Sequence, residues 1–110
     1  MSIMDNPIIR EKCFFQALQK LDIPIPTKEY QFHHKRKWRF DYAFIDYKMA
    51  IEVEGGIWIQ GRHTRPQGYI NDMEKYNEAN LMGWKIIRVA PKDLLKRETI
   101  DLIKRGLNIN

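Results

Sequence analysis

Two short runs of strict alternation, WRFDYAFI at 38–45 and KMAIEVE at 48–54, leave this chain few ways to fold. Period-two alternation marks a strand with one apolar face. In the first run Trp38, Phe40, Tyr42 and Phe44 point one way, and Arg39, Asp41, Ala43 and Ile45 the other. In the second, Met49, Ile51 and Val53 stand opposite Ala50, Glu52 and Glu54. Only Asp46-Tyr47 separates residues 45 and 48, so the runs close as an antiparallel hairpin. The symmetric register, which a four-residue loop also preserves, sets Asp41 opposite Glu52 on one face. Glu54 lies two residues on and shares that face. A bulge would shift the pairing.

Other elements assemble around this hairpin. Asn6 as N-cap and Pro7 at the first helical position open a helix that runs to about Leu21. Phe14, Leu18 and Leu21 form its apolar stripe, and IPIP at 23–26 stops it. Residues 29–34 read as a short strand. Gly55-Gly56 ends the second alternating run, and 57–66 reads as a loop. Residues 67–82 predict a helix, with Met73, Tyr76 and Leu81 on its apolar side and Gly83 as its stop. WKIIRVA at 84–90 predicts a strand. The tail from Pro91 reads as helical, with Leu94, Leu95, Ile100, Leu102 and Ile103. A strand–helix–strand unit from 48 to 90 calls for a right-handed crossover and parallel strands. The expectation is one α/β domain over 1–110, a central mixed β-sheet flanked by helices.

Composition narrows the function. At 44% hydrophobic and 12% aromatic residues, the chain has the material for a core. It has no apolar run long enough to span a membrane and no signal-peptide centre at the N-terminus. Its single cysteine, Cys13, excludes an internal disulfide and a cysteine-based zinc site. A cytoplasmic setting, bacterial or in a phage-infected host, is the resulting expectation. The net charge is +5 and the pI about 9.4, which favours a polyanionic partner. Lys35, Arg36, Lys37 and Arg39 form one basic cluster, and Arg62, His63 and Arg65 a second. Both flank the acidic IEVEGG segment.

Three carboxylates on one sheet face repel one another and resist burial. Screening by water, protonation of one, or a bound cation relieves them. Oxygen ligands suit Mg²⁺ or Mn²⁺, and such an ion can activate water and stabilise charge on a phosphodiester. The plain alternative, a solvated sheet face, is weaker for D-x10-E-x-E followed by Gly-Gly between basic clusters. Asp41, Glu52 and Glu54 are therefore the candidate metal ligands. Glu11 falls on the core-facing side of the first helix, an odd place for a carboxylate unless it reaches the edge of a site. Pairing with Lys12 or another base is its ordinary alternative.

The run EYQFHHKRKWRFDYAF, followed by KMAIEVEGGIWIQGRHTRPQGYINDMEKYNEANLMGWKIIRV, resembles a phage and prophage endonuclease-like family. That family is similar to the very-short-patch-repair endonucleases within the PD-(D/E)XK superfamily. WRFDYAF, EVEGG, GRH and DMEKYN in this order carry the resemblance. It implies the restriction-endonuclease-like fold and a divalent metal site, with Asp41 as the D and Glu52 as the (D/E). The third position, usually lysine, is Glu54. The lysine orients the attacking water and offsets transition-state charge, so that role is missing or supplied elsewhere. Lys75, in DMEKYN, is one candidate. His63, placed like the histidines of the repair enzymes, is the other. The resemblance also suggests Gln31 as a polar residue near the metal.

His33 and His34 read as phosphate contacts rather than ligands. Trp38 and Trp84 read as core residues, and Trp58 as core or a surface for base stacking. The combined expectation is Mg²⁺- or Mn²⁺-dependent hydrolysis of a DNA phosphodiester. Asp41, Glu52, Glu54, Lys75, His63 and Glu11 would form the catalytic set. Lys35, Arg36, Lys37, Arg39, Arg62 and Arg65 would hold phosphates. Two alternatives stay open. One is a structure-selective nuclease, a junction resolvase or single-strand cutter, with which a homodimer would agree. The other is a non-catalytic nucleic-acid-binding module. Whether RNA is also a substrate is open.

Overall fold

The computed structural model describes residues 5–55 and 66–110. Helix α1 spans Pro7–Lys20, and its start follows the expected chemistry. Asn6 Oδ1 accepts from the N–H groups of Ile8 (2.9 Å) and Ile9 (3.3 Å), two donors with no partner inside the helix. Phe14 and Leu18 are fully buried. Leu21, expected on the same stripe, is 44% exposed. It sits past the last helical turn, where the chain turns through Asp22 (φ +56°), and Ile23 takes the buried seat instead.

Four strands form one mixed sheet in the order β1-β2-β3-β4. They are β1 (Thr27–Gln31), β2 (Arg39–Phe44), β3 (Met49–Val53) and β4 (Lys85–Val89). β1 begins and ends earlier than the expected 29–34. The cause is a tight turn after it: His33 Nδ1 accepts from the N–H groups of Lys35 (3.1 Å) and Arg36 (3.0 Å) and folds the chain out of the sheet.

The β2–β3 hairpin closes through a single 3₁₀ turn at Ile45–Tyr47, with Lys48 left-handed at φ +51°. Its antiparallel register, Phe44↔Met49, Ala43↔Ala50 and Tyr42↔Ile51, is the expected one. At the next step, side chains replace the backbone ladder. The Asp41 N–H donates to Glu52 Oε2 at 3.0 Å, and the Val53 N–H donates to Asp41 Oδ2 at 2.7 Å. On the other side of β2, the pairing with β1 steps from Lys28↔Tyr42 to Tyr30↔Phe40, and Glu29 between them has φ +49°.

This break corrects the expected alternation. Tyr42 and Phe44 pack with Phe14, Leu18, Met49, Ile51, Leu94 and Ile103. Phe40 packs instead with Phe32, Ala43, Ala50, Ala79 and Trp84, and half-buried Trp38 lies against that second group. The sheet is thus apolar on both faces and covered on both.

Helix α2 (Pro66–Leu81) contributes Ala79 to the second cluster. The expected apolar side is another correction: Met73 is 57% and Leu81 80% exposed. The inward positions are Asp72, Lys75, Tyr76 and Ala79, spaced at three and four residues. Gly83 ends the unit as expected, at φ +87°. Its N–H donates to Asn80 O and the Trp84 N–H to Ala79 O, both at 3.0 Å. β4 then pairs parallel with β3, which sets Arg88 beside Glu52. After a 3₁₀ turn at Pro91–Asp93, α3 (Arg97–Gly106) returns Ile100 and Ile103 to the first cluster. Leu94 and Leu95 therefore precede this helix, and Leu102 is exposed on it. No helix among the described residues is long and apolar enough to cross a membrane.

Candidate active site

Where the β2–β3 ladder gives way, the two strands stop spending their side chains on packing and turn carboxylates towards each other. Asp41 and Glu52 each bind the other strand's backbone, which fixes both without consuming all their oxygens. They line a small polar cavity of about 120 Å³ with Arg39, Glu54, Asp72, Lys75 and Tyr76. Strands β2 and β3 form its floor and α2 its wall. The polar inward face of α2 has its reason here: Lys75 and Tyr76 meet carboxylates, which an apolar side chain would leave unpaired, and Asp72 faces the charge of Arg88.

Lys75 reaches the cluster directly, and its Nζ pairs with Glu52 Oε1. Tyr76 donates its hydroxyl to the same oxygen at 3.1 Å. Both Glu52 and Lys75 are largely withdrawn from solvent, at 7% and 16% side-chain exposure. Burial pushes the Glu52 carboxyl above its ordinary range, against the pull of Lys75. Burial likewise raises Asp41, with the negative charge of Glu29 adding to it and the Val53 N–H and Lys75 opposing it. The Tyr76 phenol is raised by burial and by the charges of Glu52 and Glu54.

Glu54 lines the same cavity with one of its two carboxylate oxygens engaged. Oε1 accepts from Arg88 Nε at 2.7 Å and, at 3.4 Å, shares more weakly the single Tyr76 hydroxyl proton that goes to Glu52. Arg88 in turn lies over the Tyr76 ring, 4.6 Å from its centre. The sequence reading missed Arg88 and read Tyr76 as an apolar helix residue. Arg88 becomes visible only once the register of the expected parallel pairing is fixed, which sets it beside Glu52.

Among the described residues, no group of three or more His, Cys, Asp or Glu side chains is arranged to hold a metal ion. A site of two carboxylates is another matter, since Mg²⁺ commonly takes one or two and keeps water in its other positions. Asp41 and Glu52 fit that donor set. They are adjacent, Glu52 buried and Asp41 half-buried, burial raises both carboxyls, and a cation would favour their charged forms.

Glu11 reaches the other side of Asp41. It accepts from the Tyr42 hydroxyl and from Lys28 Nζ, each at 2.9 Å. With Arg10, Glu29 and Asp41 it lines a second cavity of about 250 Å³.

The basic residues divide. Arg39 is exposed at the rim of the acidic cavity. Lys35, Arg36 and Lys37 are exposed on the turn before β2. Arg36 pairs with Glu74 at 3.1 Å. His33, expected to contact phosphate, is buried at 7% exposure and does structural work. Its Nδ1 accepts two backbone N–H groups, so Nε2 carries the proton that it gives to Glu78, at 2.8 Å. His34 is exposed and stacks on it. Gln31, expected near the metal, donates its amide to the carbonyls of His33 and Arg36. Trp84 is buried in the second cluster. Arg62, His63, Arg65 and Trp58 lie outside the described residues, as does the expected loop up to residue 65.

No family model matches the chain, and no solved structure matches it. Two uncharacterized proteins of Mycobacterium tuberculosis are similar to it, one from strain CDC 1551 / Oshkosh and one from strain ATCC 25618 / H37Rv. Each is 27% identical over 74 residues, which is 66% of this chain and 26% of the relative. The chain thus spans about a quarter of the length of the curated relatives it matches.

Proposed function

We propose that this chain is a divalent-metal-dependent DNA endonuclease of the PD-(D/E)XK type, with a restriction-endonuclease-like arrangement of its α/β elements and a cytoplasmic site of action. The observation that carries the reading is the meeting of Asp41, Glu52 and Lys75 in one polar cavity. Their order along the chain follows the superfamily's acid, acid, lysine, with the lysine moved from position 54 to α2.

Asp41 and Glu52 would hold the ion. When bound, a divalent cation supplies a stronger acid for water and positive charge against the phosphate. The remaining work falls to the chain. Lys75, paired with Glu52, orients the attacking water and offsets charge that grows on the phosphate in the transition state. The Tyr76 hydroxyl and Lys75 together hold the Glu52 carboxylate in place. Glu54, held by Arg88 and Tyr76, braces the Tyr76 side of the cavity. Arg39 at the rim and Lys35, Arg36 and Lys37 beyond it bind the DNA backbone.

The test is direct. Purified protein is incubated with linear, supercoiled, single-stranded and branched DNA in Mg²⁺, Mn²⁺ or EDTA. Cleavage that needs the ion supports the reading, and the preferred DNA form identifies a structure-selective enzyme. A second reading, a non-catalytic binding module, draws on Glu54 at the position where the superfamily carries lysine. Binding of DNA without cleavage in any ion decides for it.

A further inference from the structure

A cavity of about 410 Å³ opens on another side of α2, between that helix and the turn that precedes β2. Its volume falls in the range of small-ligand pockets, roughly 300–1,000 Å³. The acidic cavity uses Asp72, Lys75 and Tyr76 of α2, and this one uses Glu74, Asn77 and Glu78. The basic run divides the same way, with Arg39 at the acidic cavity and Lys35 and Arg36 here. The two cavities thus share one helix and one basic run.

Trp38 forms the aromatic wall. It is braced from within by Phe32, nearly parallel at 16° and 6.3 Å between ring centres, and by the edge of His33 at 5.2 Å. The turn behind it is pinned by His33 and Gln31, so the indole is presented as a fixed platform. A planar cation already lies over it: the Arg36 guanidinium, 4.0 Å from the ring centre. Arg36 and its partner Glu74 are 48% and 45% exposed. A cation–π contact and an ion pair this exposed are both weak. Stacking of a base on an aromatic ring is stronger than either, and a phosphate is a better partner for arginine than a solvated carboxylate.

We propose that this cavity seats one unpaired nucleobase of the DNA substrate, stacked on Trp38 in place of Arg36, with Arg36 transferred to the adjoining phosphate. The proposal rests on the nuclease reading and adds a substrate class, DNA with an unpaired nucleotide near the cut. Glu74, freed by Arg36, and Asn77 offer an acceptor and an amide to the base edge. Neither selects among the bases, so the pocket reads the absence of pairing.

The test uses a single-stranded DNA of about eight nucleotides with one central 2-aminopurine, in EDTA so that binding is read without cleavage. Stacking on Trp38 quenches the 2-aminopurine. Replacing that nucleotide with an abasic site weakens binding by about tenfold. Trp38→Phe retains most of the quenching. Trp38→Ala removes it and binds both oligonucleotides alike. Asn77→Met, at an exposed position on α2, crowds the cavity with an apolar chain that has no ring to stack on a base, and leaves the core untouched. It has the same effect, and it carries the test if Trp38→Ala does not fold. Equal affinity of the natural chain for the two oligonucleotides, or full quenching in Asn77→Met, overturns the proposal and leaves the nuclease reading standing. Failure to bind any DNA, single-stranded or duplex, in EDTA or in Ca²⁺, with no cleavage in Mg²⁺ or Mn²⁺, overturns both.

Discussion

Lys75 holds the position on which the proposed chemistry turns. Its Nζ meets Glu52 where both side chains are largely withdrawn from solvent, and a fixed charge acts more strongly there than at the surface. Lys75→Met should therefore lower cleavage by about a hundredfold or more and leave DNA affinity within about twofold, because phosphate contacts made elsewhere carry the binding. Single-turnover cleavage and filter binding on one preparation check this, and equal losses in both would place Lys75 in the DNA grip. Asp41 makes a prediction about stability. Burial raises its folded pKa above the unfolded value, so the folded state holds that proton more tightly. Stability then falls as the pH rises from the ordinary aspartate range, near 3.9, through the raised folded value, and the deficit is complete above it. Asp41→Asn removes the charge and keeps an oxygen for the Val53 N–H. Without metal at pH 7 it should melt above the natural chain, and the gap should close in acid. Adding Mn²⁺ should raise the melting temperature of the natural chain and leave the variant unmoved. Thermal unfolding across pH checks both, and a variant that melts lower at pH 7 contradicts the reading.

At the scale of elements, the hairpin was the most legible part. Alternation and a short connection defined its register down to Phe44↔Met49, because a one-residue slip would move every side chain to the opposite face of the sheet. The same alternation could not show that the ladder ends at Asp41, since hydrogen bonds from a side chain to a neighbouring strand leave no mark on hydropathy. Phe40 therefore went to the wrong face. Helix α2 misled for a related reason. It turns Lys75 and Tyr76 inward because they meet Glu52 and Glu54, and leaves Met73 and Leu81 outside, so two of the three expected apolar positions lie away from the true inner face. The parallel pairing of β3 and β4 was expected, but Arg88 was illegible because its place depends on the register of that pairing, closed across the whole of α2. The helix stop was plain from its glycine. Gly83→Ala should destabilise the fold by about 1 kcal/mol, the cost of a left-handed backbone with a Cβ, as read from urea unfolding. An unchanged midpoint would mean the turn relaxes.

Over the whole molecule, a net charge of +5 goes with a pocket of acids that has exposed Arg39 at its rim. In the proposed function the basic residues draw in DNA and the pocket meets the phosphate. Affinity should fall steeply with salt, and Arg36→Ala with Lys37→Ala should flatten the log–log slope by roughly one to two units. A slope that does not move places the DNA elsewhere on the surface. The central claim is narrower than binding: Asp41 and Glu52 together hold an ion that cuts DNA. The most direct measurement is a time course of supercoiled plasmid nicking in Mn²⁺, with the natural chain, Asp41→Asn and an EDTA control run in parallel from matched purifications. The account predicts nicking by the natural chain alone, with the variant and the EDTA reaction slower by about a hundredfold or more. Nicking at the same rate in Asp41→Asn, or undiminished in EDTA, would contradict it.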